Sequence, residues 1–95
     1  MRVARRYFIG GRVQGVGFRY FAREAALGEG VAGWVRNLSD GRVEVFAEGE
    51  AQAVDAFERQ IRSGPPGVHV EHVDVQAEQP TTTSIGFDVR SSYSN

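Results

Sequence analysis

The sequence predicts an α+β domain of the split βαβ, ferredoxin-like kind: an antiparallel sheet with two helices on one face. Three observations predict it. The spacing of apolar residues switches from period 2 to helical and back, twice, which orders the elements β-α-β-β-α-β with a small edge strand after them. The two middle strands are joined by the turn signal Ser39-Asp40-Gly41, so they form a hairpin. The chain has 95 residues and no cysteine, so one well-patterned core, with no disulfide to staple it, must hold the fold.

The first strand is read from Tyr7, Ile9, Gly11 and Val13 alternating with Phe8, Gly10 and Arg12, weakened or bulged at the glycine pair. Phe18, Phe21, Ala22, Ala25 and Ala26 then fall at helical spacing, and Gly28 with Gly30 supplies a stop. Strand character returns over Val31 to Leu38. Beyond the turn, Val43, Val45 and Ala47 share one face, with Glu44, Phe46 and Glu48 on the other. A second helix carries Ala51, Val54, Phe57, Glu58 and Ile61 in register, and Arg59 and Arg62 near its end complement the helix dipole. Ser63-Gly64-Pro65-Pro66-Gly67 terminates it. Val68 and Val70, then Val73, Val75 and Ala77, alternate with a one-residue slip at Glu71-His72, which predicts a bulge. Phe87 and Val89 mark a short last strand. The domain runs from 5 to 90, and 91–95 is a polar tail.

With 11 basic against 12 acidic residues the formal net charge is -1, which argues against a nucleic-acid footprint while leaving a phosphate-sized anion open. No cysteine means no metal-thiolate or redox-disulfide chemistry. No apolar run approaches the roughly 20 residues of a membrane span, and Met1 to Arg6 leads straight into patterned sequence. A cytoplasmic monomer is expected.

Two segments could carry chemistry. Gly11-Arg12-Val13-Gln14-Gly15-Val16-Gly17-Phe18-Arg19 joins the first strand to the first helix. Its glycines let backbone N–H groups converge, the helix N-terminus adds donors, and Arg19 offers a planar fork for phosphate oxygens. The segment lacks the third glycine and the lysine of nucleotide-binding loops, so on spacing alone a tight turn beside a solvated Arg accounts for it as well. In the second, Gly33-Trp34-Val35-Arg36-Asn37-Leu38-Ser39-Asp40-Gly41, Asn37 taken alone reads as a turn cap and Trp34 as a sheet-face anchor.

Together, in this order and separation, the two segments resemble the signature stretches of the acylphosphatase family. Gly64-Pro65-Pro66, the Val-rich fourth strand and Phe87-Asp88-Val89-Arg90 extend the resemblance over nearly the whole chain. It implies hydrolysis of carboxyl phosphates to a carboxylate and inorganic phosphate, without metal or cofactor. By motif position it implies Arg19 as the phosphate-binding catalytic residue and Asn37 as the residue that positions water. It also implies a backbone cradle over Gln14, Gly15, Val16, Gly17, Phe18 and Arg19. Such a sparse site suffices in principle, because a carboxylate leaving group with an acid pKa of about 4 departs without a proton.

The remaining polar residues are discounted. His69 and His72 point to opposite strand faces unless the bulge intervenes, and two ligands do not make a metal site. Glu44, Glu48, Glu50, Asp55 and Glu58 read as solvated surface. Gln14 either lines the site or closes the loop. An RNA-recognition module would need more exposed aromatics and a basic surround than Val43-Glu44-Val45-Phe46 offers. A carbamoyl-phosphate or small-anion binding module on the same fold is the alternative reading; the shortness of the chain argues against it.

Overall fold

The computed structural model describes residues 1–15, 17–81 and 84–91. Its elements are β1 (Arg2–Arg12), α1 (Phe18–Glu29), β2 (Ala32–Asn37), β3 (Val43–Glu50), α2 (Ala51–Ser63), β4 (His69–Glu78) and β5 (Phe87–Val89). The strands lie in the order β4-β1-β3-β2-β5. Because β1 and β2 flank β3 and both pair with it antiparallel, they run parallel to each other and their C-terminal ends meet at one end of the sheet. That end carries the site.

Both helices pack on one face. Tyr7, Ile9, Val35, Val43, Val45 and Ala47 from the strands close on Phe18, Ala22, Ala25 and Ala26 of α1 and on Val54, Phe57 and Ile61 of α2. Tyr7 meets Phe57 edge-on at 6.2 Å, a favoured aromatic geometry. The Tyr7 hydroxyl, buried with its ring, donates to Glu58 Oε1 at 3.0 Å. Burial, and then the Glu58 charge, push that phenol well above its ordinary pKa.

The bulges expected in two different strands are one feature. Ile9 pairs with Val73 and Gly10 with His72, but Gly11 pairs with Val70, so Glu71 is the extra residue opposite the glycine pair. The slip returns Val70 to the core side and puts His69 and His72 on the same helix-free face. The His72 ring lies across Gly10, where a Cβ would collide with it.

Three expectations are corrected. The sheet is mixed: β5 runs parallel to β2, because the chain crosses from the β4 edge to the opposite edge and enters at the same end as β2. Gly30 ends α1 and Gly28 does not; the Val31 N–H returns to the Ala26 carbonyl at 2.9 Å, closing the last turn with Gly30 left-handed. Glu44 and Glu48 are buried, 4% and 0% exposed. β3 is the central strand, so its helix-free face is covered by neighbours. Glu44 sits between Arg6 and Arg36 at 2.6 and 2.7 Å. Glu48 accepts from the Thr81 backbone N–H at 2.7 Å and its hydroxyl at 2.6 Å, with Arg2 at 3.6 Å.

The polar tail assigned to 91–95 lies, apart from Ser91, outside the described residues. On the helix-free face Trp34 anchors the sheet as expected: it stacks on Phe46 at 6.3 Å, and the Arg90 guanidinium lies 4.2 Å from its ring centroid.

Glu48 makes stability acid-sensitive. Burial alone would raise its pKa, but hydrogen bonds from Ser84 and Thr81 and the Arg2 charge outweigh burial and hold it below the ordinary carboxylate value. A depressed folded pKa gives stabilisation that is present above the unfolded pKa and lost as pH falls through the folded one. Glu48→Gln should therefore lower Tm at pH 7 by roughly 5 to 10 °C and flatten part of the parent's decline in acid. Thermal melts of both proteins across pH 3 to 7, on the order of the carboxylate range, check this; parallel curves would refute it.

Candidate active site

The site is built where β1 and β2 end together. Val13, 1% exposed, fixes the chain leaving β1 in the core, and Phe18, also 1% exposed, fixes the start of α1. The loop between them is thus held at both ends by apolar burial. Gly15 and Gly17 have φ of 75° and 81°, and a Cβ on either would meet nothing within 4 Å. Conformation, not space, is what requires glycine there. A left-handed residue costs an L side chain roughly 1 to 2 kcal/mol.

Gly17 is the N-cap of α1, its carbonyl accepting from Phe21 N–H at 3.0 Å. Among the described residues no side chain caps this helix, and its first turn holds no acidic residue, so the first N–H groups and the positive end of the dipole face the loop. A concavity of about 100 Å³ opens there, lined by Val13, Gly15, Gly17, Phe18, Arg19, Tyr20 and Asn37. Since about 10 to 15 Å³ of such space already holds a water, a tetrahedral oxyanion has room there.

The two residues expected to act lie 18 positions apart in sequence, at 19 and 37, and both line this concavity. Asn37 is the last residue of β2, 6% exposed and opposite Val43 of β3, so the sheet ladder fixes its direction. Arg19 stands in the first turn of α1. Its Nη1 donates to the Arg90 carbonyl at 2.6 Å, just past the end of β5. Arg90 is itself held by its N–H to the Val35 carbonyl at 2.8 Å and by its stacking on Trp34. One of the five Arg19 donors is used in orienting the guanidinium, and the others are available to a ligand.

The Gln14 side-chain amide donates to the Leu38 carbonyl at 2.8 Å and the Arg42 carbonyl at 2.9 Å, tying the loop to the β2–β3 hairpin. Its side chain therefore closes the loop, which leaves its backbone as the part that could meet a phosphate. Val16, expected in the cradle, lies outside the described residues. Phe18 spends its ring on the core and can offer only its N–H. Two lining residues, Val13 and Tyr20, were not singled out from sequence. Tyr20 carried a signal: two helical positions beyond the buried Phe18, about 200° round the helix, it has to face away from the core. A larger open groove of about 570 Å³ runs along Arg12, Gly67, Val68, His69 and Glu71, and neither Arg19 nor Asn37 lines it.

A concavity lined by left-handed glycines, a helix N-terminus, an oriented guanidinium and a buried amide, at one end of an α+β sheet, has the chemistry that suits an anion. The comparisons with known proteins narrow the class. The acylphosphatase family matches residues 5–89. A protein named acylphosphatase from Rubrobacter xylanophilus is 53% identical over 85 residues, covering 90% of this chain and 77% of that protein. The crystal structure of acylphosphatase from Bacillus subtilis superposes with a TM-score of 0.89 at 38% identity, covering 93% of this chain and 98% of that one. Full-length HypF, in its phosphate- and nucleotide-bound form, matches with a TM-score of 0.86 at 32% identity, over 97% of this chain and 12% of that one. This chain belongs to the acylphosphatase family.

Proposed function

We propose that the protein hydrolyses carboxyl phosphates to a carboxylate and inorganic phosphate, with Arg19 and the loop amides binding the phosphoryl group and Asn37 positioning the attacking water. The observation that carries this reading is the meeting of Gly15, Gly17, Arg19 and Asn37 around one concavity of about 100 Å³.

The chemistry follows from what those groups can do. The phosphoryl oxygens face the N–H groups of the loop and of the first turn of α1, and the Arg19 fork. Water attacks phosphorus on the side away from the acyl oxygen. The P–O bond to the acyl group breaks, its electron pair leaves with the carboxylate, and the water's proton passes to phosphate or solvent. With a leaving-group acid pKa of about 4 no general acid is needed. In a loose transition state the nucleophile is weakly bonded and charge sits on the peripheral oxygens, so no strong base is needed either. What remains is to hold water in line and stabilise the oxygens. Asn37, with both donor and acceptor on a fixed amide, can do the first, and Arg19 with the loop amides can do the second.

In this reading the working unit is a monomer and the partner is a small acyl phosphate. The helix-free face supports a small substrate over a nucleic acid, since Arg6 and Arg36 are committed to Glu44, and Arg90 lies on Trp34. Hydrolysis of a simple acyl phosphate in excess EDTA, with inorganic phosphate as competitive inhibitor, tests the proposal. Full activity in chelator and a rise in apparent KM with phosphate are expected; activity restored only by a divalent ion, or indifference to phosphate, would overturn it.

A second reading is a module that holds carbamoyl phosphate or another small anion without turning it over. The match to a domain-sized part of HypF favours it. Release of phosphate from an acyl phosphate by this chain decides between them.

A further inference from the structure

We propose that the Gln14 side chain is a positioning residue for the reaction: it sets the phosphate loop against Asn37, so that a bound phosphoryl group and the attacking water lie in line. The inference rests on the acyl phosphate reading and adds a residue to it. Gly15, Gly17 and Arg19 belong to one segment and Asn37 to another, so the two halves of the site have to be held in register.

Gln14 sits at that seam. It immediately precedes Gly15, and its amide donates to the Leu38 carbonyl at 2.8 Å and to the Arg42 carbonyl at 2.9 Å, across 24 and 28 positions of sequence. Those carbonyls flank the last rung of the β2–β3 ladder, since Leu38 follows Asn37 and Arg42 precedes its partner Val43. Both hydrogens of one amide are therefore spent on the backbone beside Asn37. The hairpin closes without them. The Leu38 N–H donates to the Arg42 carbonyl at 2.8 Å, and the Gly41 N–H to the Leu38 carbonyl at 3.2 Å. A two-pronged tie onto carbonyls that already have partners adds little to the hairpin itself; what it fixes is the place of the loop beside Asn37. In-line attack depends on that place, because a misplacement of about 1 Å costs a reaction on the order of 100-fold. Phosphate binding asks less of it. The loop glycines and Arg19 stand on one segment, so they meet the anion together wherever Asn37 lies.

The test combines kinetics with a double-mutant cycle. Gln14→Met keeps the length of the side chain and removes both donors; the two carbonyls keep their hairpin partners, so no acceptor is orphaned and the fold should survive, as circular dichroism confirms. With a simple acyl phosphate as substrate, kcat is expected to fall by about tenfold or more, while the Ki of inorganic phosphate stays within about threefold of the parent. Gln14→Ala, a second removal of the same donors, should show the same split. Made in the Asn37→Ala protein, Gln14→Met should change kcat by less than about twofold, because the group it aligned the loop against is gone. An unchanged kcat in Gln14→Met overturns the proposal. So does an equal further loss in the Asn37→Ala protein, which would show that Gln14 acts independently of Asn37, or a Ki that rises as kcat falls, which would make Gln14 a support of the loop's own shape. A parent that releases no phosphate from an acyl phosphate would instead overturn the acyl phosphate reading beneath the proposal.

Discussion

Arg19→Ala should lower kcat/KM for an acyl phosphate by on the order of a thousandfold or more, and should raise KM and the phosphate Ki together. Removing one neutral donor from a preorganised oxyanion site costs about 100- to 1000-fold, and Arg19 adds formal charge and a second prong. In the proposed mechanism its guanidinium meets phosphate oxygens in the ground state and in the transition state, so binding and turnover should fall together. Arg19→Lys should recover little. An ammonium cannot donate to the Arg90 carbonyl and to two phosphate oxygens in one plane, which is what the 2.6 Å contact to Arg90 sets up. The fold should survive either change, since Arg19 is half-buried and bonds a backbone carbonyl just past the edge strand. Steady-state kinetics with phosphate inhibition, on proteins of matched circular dichroism, checks this.

Asn37→Ala should lower kcat by on the order of 100-fold or more while leaving phosphate affinity nearly unchanged. The residue is 6% exposed at the end of a laddered strand, so its amide is held in one direction and can hold a water in one place. Alanine there removes the amide and keeps the backbone ladder to β3. The cost then falls on the chemical step, visible as a lowered kcat with little change in KM. Asn37→Asp offers a contrast within the same experiment: a carboxylate so near the cradle repels the phosphoryl oxygens, so KM should rise as well.

Much of this was legible in the sequence, and what was missed has physical causes. Apolar period placed Phe18, Ala22, Phe57 and Ile61 on buried helix faces and Val43, Val45 and Ala47 on the buried strand face, because side-chain direction is a local property. The phase slip at Glu71-His72 and the glycine pair at Gly10-Gly11 were each visible; that they oppose each other is a fact of register, which no single strand records. Glu44 and Glu48 alternate with apolar residues and so read as solvent-facing. Their burial comes from the central place of β3, a tertiary property. The direction of β5 is likewise absent from three residues of pattern.

At the site, Arg19 and Asn37 were found through paired motifs; neither glycine spacing nor a turn asparagine would have singled them out alone. The Arg19 contact with Arg90 spans 71 positions and uses a main-chain carbonyl, which leaves no mark on residue type. Gln14 was ambiguous between lining the site and closing the loop, and its bonds to Leu38 and Arg42 assign the side chain to the loop.

The division of labour between Arg19 and Asn37 is the centre of this account, and calorimetric titration of inorganic phosphate into the parent, Arg19→Ala and Asn37→Ala tests it without turnover. Asn37→Ala is expected to bind phosphate within about threefold of the parent, and Arg19→Ala at least about tenfold more weakly, the loss of a charge-assisted pair. Equal weakening in both variants, or weakening in Asn37→Ala alone, would contradict it.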